Sequence, residues 1–145
     1  MKAKLINSRT VDWAKLDSFA DRTIFQSPEW LQFIHETQRA KIIVCELAEG
    51  RDIAGYFTGL RFSRFGVPML GSSFPGWTTP YIGFNLTPGV SRKVALAAVE
   101  QFAWNELKCL HMIVLAADRE QDSFAVQIKQ GPLRRLIRGT GVLLS

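Results

Sequence analysis

Cysteine and histidine are scarce: each occurs only twice in the 145 residues, and neither type is spaced for metal or disulfide chemistry. Cys109, Leu110 and His111 make a Cys-x-His step without a second pair at ligand spacing, so no metal is expected. Cys45 and Cys109 sit among apolar neighbours, which predicts two buried, reduced thiols. No Ser, His and Asp set stands at nucleophilic spacing; His35 reads as a helix-surface residue and His111 as a strand entrance. Also missing is any apolar run near the ~20 residues that a membrane span requires. The start, MKAKLINSRT, has lysines but no apolar signal stretch, so the expected compartment is the cytoplasm.

Acids are missing from one end only. All 13 Asp and Glu residues precede Ser123, whereas Lys129, Arg134, Arg135 and Arg138 follow it. The net charge of +5 therefore belongs to the end of the chain, and the body is close to neutral. That distribution weighs against a general nucleic-acid surface. It divides the chain into a domain over 1–123 and a basic, poorly ordered tail over 124–145, with an interrupted or altered C-terminus as one explanation of the shift.

What is present is enough apolar residue, 47%, for one core. KAKLIN at 2–7 reads as a strand and Val11 to Phe19 as a short helix. In FQSPEWLQFIHETQ, Ser27 can cap backbone N–H groups, Pro28 fits the first helical position, and Glu29 favours the positive end of the dipole. A helix over 28–38 follows, with Trp30 as a core anchor. Two β-rich runs, Lys41 to Leu47 and Ile53 to Phe62, flank a polar turn and predict a hairpin. Val67 to Leu70 and Tyr81 to Asn85 read as further strands, and a long helix, started by Thr87 and Pro88 or slightly later by Ser91, runs to about Lys108, with Leu96, Val99, Ala103 and Leu107 as an apolar stripe flanked by Ala95 and Phe102. Leu110 to Ala116 is continuously apolar, as in a strand covered on both faces. Helices on both faces of a mixed, mostly antiparallel sheet are the economical packing of this order, an α+β fold.

The stretch SSFPGWTTPYIGFNL, 72–86, joins two prolines and two glycines to Trp77 and Tyr81. Either those rings fold onto the core or they form the rim of a site. In the second case Tyr81 is the catalytic candidate, its hydroxyl protonating a leaving thiolate or binding a carbonyl, while Gln26, Trp30, Trp77, Thr78 and Thr79 line the substrate pocket.

FQSPEWLQF, CELAEGRDIAGYFTG, PGWTTPYIGFNL and SRKVALAAVEQFAWNELKCLHMIVL, taken in order, resemble the N-terminal half of the FemAB-like branch of the GNAT superfamily, over residues 20–117. The resemblance implies a GNAT-like sheet, expected to be incomplete here. It also implies transfer of an acyl or aminoacyl group from an acyl-CoA, such as acetyl-CoA, or from an aminoacyl-tRNA, to an amine acceptor. The pyrophosphate loop of such proteins, Q/R-x-x-G-x-G/A, falls on L-T-P-G-V-S, giving Gly89 and Ser91, with Arg92 and Lys93 as nearby charge. Leu86 stands where the pattern has a polar residue. The chain is short of the usual two GNAT domains, so a truncated, inactive member is a second expectation, with a second GNAT domain or a further copy covering an exposed sheet edge. A non-catalytic module pairing through that edge and a basic-tail nucleic-acid binder are the readings from other classes.

Overall fold

The structure is a computed structural model that describes residues 1–72, 74, 77, 79, 82–118 and 123–132. Among the described residues it is an α+β fold with seven strands and three α-helices. The strands are β1 (Lys2–Ile6), β2 (Lys41–Glu49), β3 (Asp52–Arg64), β4 (Val67–Gly71), β5 (Phe84–Leu86), β6 (His111–Asp118) and β7 (Ser123–Gln130). The helices are α1 (Trp13–Asp17), α2 (Pro28–Gln38) and α3 (Arg92–Asn105), with a short 3-10 turn at Ile24–Gln26. The sheet runs β1-β2-β3-β4-β6-β7, and β5 pairs with the first part of β3. All pairings are antiparallel except β4 with β6.

Alternation along the strands assigns the two faces. Ile43, Cys45, Leu47, Phe57, Met112 and Val114 pack with Ala95, Val99, Phe102 and Ala103 of α3. On the opposite face, Leu60 and Ile113 pack with Leu31 and Ile34 of α2, while Val44 and Tyr56 pack with Leu16 of α1. Period-two alternation with both faces covered is what makes β2 and β3 read as near-continuous apolar runs.

Local signals hold where they are strong. Ser27 Oγ accepts from Trp30 N at 3.3 Å, and Pro28 opens α2. Ser91 Oγ accepts from Val94 N at 3.4 Å and starts α3. The buried side of α3 is Ala95, Ala98, Val99, Phe102 and Ala103, with Leu96 and Leu107 only half-buried, so its apolar face is turned slightly from the stripe that spacing suggested. The helix stops at Asn105, short of Lys108, because Glu106 N and Leu107 N both turn back to Phe102 O and Lys108 takes a left-handed φ of 54°.

Two expectations need correction. The strand predicted over 81–85 is Phe84–Leu86: Ile82 N donates to Ser72 O at 3.0 Å, so pairing with β3 begins only at Phe84, while Tyr81 lies outside the described residues. Residues 123–130, assigned largely to a poorly ordered tail, form β7 in antiparallel register with β6 from Asp118↔Ser123 to His111↔Gln130. Lys129 pairs with Glu100 of α3, so one of the four basic residues of that tail belongs to the packed body. The other three, Arg134, Arg135 and Arg138, lie outside the described residues.

Candidate functional site

A cleft of about 800 Å³ opens where the chain leaves β5 for α3; its walls include Phe19, Asp21, Leu86, Gly89, Val90 and Arg92. Its shape begins with a defect in the hairpin. Leu47 pairs with Gly55 and Ala48 with Ile53, so Ala54 is an extra, bulged residue. The freed Ala54 carbonyl accepts from Thr87 N at 2.9 Å and from Thr87 Oγ1 at 3.0 Å, pinning the first loop residue after β5. Only glycine serves next to the bulge: a Cβ on Gly55 would stand 2.3 Å from Asn85 O, and its φ is +152°.

A polar cluster fixes the other side of β5. Asp21 Oδ1 accepts from Asn85 Nδ2 at 3.1 Å, and Asp21 Oδ2 accepts from Leu86 N at 3.2 Å. Asn85 Nδ2 also donates to Gln26 Oε1 at 3.3 Å, and Gln26 Nε2 donates to Gly83 O at 3.3 Å. The Arg22 guanidinium donates to Asn85 Oδ1 (3.3 Å), Gln26 O (2.5 Å) and Asp17 Oδ1 (3.0 Å), and lies 5.7 Å from the Trp13 ring. Burial pushes the Arg22 guanidinium down from its ordinary value, opposed by Asp17. Asn85 and Gln26 are both 0% exposed, so each amide must find partners within the fold, and this cluster provides them.

The sequence candidates fall into four groups. Gly89 and Arg92 line the cleft; Ser91 caps α3 beside it; Lys93 is exposed on the first turn and is not among the lining residues. The Arg92 guanidinium sits 5.7 Å from the Phe84 ring. Gln26 is sealed beneath the cleft wall. Trp30, Thr79 and Trp77 gather elsewhere: Trp30 Nε1 donates to Thr79 Oγ1 at 3.0 Å, and Trp77 packs on Phe74 and Phe62 with centroids 4.7 and 5.4 Å apart. Both tryptophans are part of the apolar cluster under α2, and half-buried there. Tyr81 and Thr78 lie outside the described residues, as do Pro75, Gly76 and Pro80.

The two thiols are free and buried. Burial pushes the Cys45 thiol up to about 12 and raises Cys109 as well. Among the described residues no group of three His, Cys, Asp or Glu side chains is placed to hold a metal ion, and no helix is long and apolar enough to cross a membrane.

Sequence reading missed Asp21, Arg22, Asn85 and the bulge at Ala54. Asp21 and Arg22 sit in a stretch without a recognisable element, where a charged pair reads as solvent-facing. The one available signal was Gly55 inside an otherwise apolar strand, since a lone glycine there marks a bulge or a close backbone approach. The fold and cleft thus define an α+β protein with a solvent-facing cleft at a strand-to-helix crossing. Comparison with protein-family models, curated proteins and solved structures found no match.

Proposed function

We propose that this chain is an acyltransferase-like domain of the FemAB and GNAT kind, which holds an acyl-CoA and passes the acyl group to an amine. The observation that carries the reading is the cleft at the entry to α3, where Gly89 and Arg92 come together beside the Ser91 cap. A helix start offers N–H groups without intrahelical acceptors and the positive end of the dipole, and a nearby guanidinium suits a pyrophosphate. The amine attacks the thioester carbonyl, the carbon–sulfur bond breaks, the leaving thiolate takes a proton from Tyr81, and water removes the amine proton. An aminoacyl-tRNA is the alternative donor.

Thermal unfolding with and without excess acetyl-CoA tests this. At 100 times Kd the ligand stabilises by about 2.7 kcal/mol, a shift of several degrees for a domain of this size. Arg92→Gln is expected to shrink the shift, and Lys93→Gln to leave most of it. An unmoved transition in the parent chain would sink the reading. The edge-pairing module is less favoured, because the edge strand β1 carries exposed Lys2 and Lys4, which discourage strand addition.

A further inference from the structure

The hairpin joining β3 to β4 has a two-residue turn of the I′ kind. Arg64 pairs with Val67, and both central residues have positive φ, +50° at Phe65 and +75° at Gly66. Glycine, asparagine and aspartate suit these positions; a bulky residue at positive φ is an outlier. Phe65 is also 94% exposed, more than any other large apolar side chain described. The tip therefore tolerates two unfavourable features at one residue, and nothing in the described core gains from either. The Arg64 guanidinium lies 5.5 Å from the Phe65 ring, so an apolar wedge and a cation project together.

The surroundings have a sign. No Asp or Glu occurs in residues 53–99, which contain the whole tip. Lys41 opens β2 opposite Arg61 in register, and Lys108 lies three residues before the start of β6, whose first residue pairs with Met69 of β4. Lys41, Arg64 and Lys108 are exposed, while Arg61 is half-buried and donates to Leu107 O at 3.5 Å. The acids on elements leading to this end are Glu36 and Glu106, near the ends of α2 and α3. The Glu49 and Asp52 pair lies at the opposite end of the hairpin formed by β2 and β3.

We propose that the Phe65 tip is a docking point for an anionic lipid bilayer, with the Phe65 ring entering the interface and Arg64, Lys41 and Lys108 facing headgroup phosphates. Aromatic rings favour the headgroup level, and basic side chains near an anionic leaflet add a salt-screened attraction. One ring and a few cations give weak, reversible attachment.

The test is co-sedimentation of the full chain with phosphatidylcholine vesicles containing about a third phosphatidylserine, and with phosphatidylcholine alone. Phe65→Asn is the decisive variant, because asparagine suits the turn. It is expected to raise Tm by roughly 3 °C while lowering vesicle binding about tenfold. Arg64→Gln is expected to lower binding several-fold and to flatten its salt dependence. Phe33→Asn, at another exposed phenylalanine, is expected to bind as the parent does. Absent binding to the anionic vesicles, binding indifferent to Phe65→Asn, or a fall in Tm for that variant would each overturn the proposal. Phe65-dependent self-association without lipid would overturn it too, assigning the tip to a second copy of the chain.

Discussion

Asp21 holds Asn85 across 64 residues of sequence: one carboxylate oxygen accepts from Asn85 Nδ2, the other from the next backbone N–H at Leu86. Both oxygens of one side chain thus fix the end of a three-residue strand, the point at which the chain turns toward α3. Asp21→Asn places an N–H₂ group where an acceptor is needed. The expected cost is about 1–3 kcal/mol, measured by urea unfolding, because a donor in β5 loses its partner. A change within about 0.5 kcal/mol would mean that solvent replaces the carboxylate.

Gly55→Ala tests the bulge. The added Cβ meets backbone at 2.3 Å, so β5 must move away from β3, and the expected loss exceeds about 2 kcal/mol. Gly50→Ala is the control: its φ is +60° but nothing lies within 4 Å of the new Cβ. It should cost only about 1 kcal/mol. Equal losses in the two variants would show that backbone strain, rather than the contact with Asn85, sets the effect at Gly55.

Thr58 is 0% exposed and its hydroxyl has no hydrogen-bond partner among the described residues. An unmet buried hydroxyl is a net cost, and valine has the same branched shape without it. Thr58→Val is therefore expected to raise stability by up to about 2 kcal/mol in chemical denaturation. A loss of stability would reveal a partner for the hydroxyl.

Cys45 governs an alkaline limb. Its thiol is pushed from 9.0 to about 12 by burial, so the folded chain keeps a proton that the unfolded chain releases first. Stability from this group is complete below about pH 9 and falls as pH rises between the unfolded and folded values. Cys45→Ala should lower stability at neutral pH through lost packing but flatten the slope above pH 9. Unfolding midpoints across pH 8–11 check both effects, and rapid thiol labelling of the folded parent at pH 8 would contradict the burial argument.

The α2 start shows what was legible. Ser27, Pro28 and Glu29 encode it through bonds spanning three or four residues, and the structure begins the helix at Pro28. The β2 and β3 hairpin was similarly legible, since alternation and a polar turn are local. The loop at 72–82 was half legible: its composition announced an unusual crossing but left the fate of its rings open. Trp77 lies half-buried against its neighbour Phe74 and against Phe62 of β3, and the second contact is set by a residue distant in sequence. At β7 composition misled, because a basic residue such as Lys129 looks solvent-bound until Glu100 is opposite it.

By itself the sequence determined the order of elements as far as β6 and an α+β class with a mixed, mostly antiparallel sheet, because these depend on periodicity and capping within a few residues. Tertiary structure alone decided the bulge at Ala54, the Asp21 clamp on Asn85 and Leu86, and the cleft between them. The bonds from Thr87 to Ala54 and from Asn85 to Asp21 need groups more than thirty residues apart to meet in a partly dry space, where an unpaired donor is costly and one misplaced Cβ is a clash.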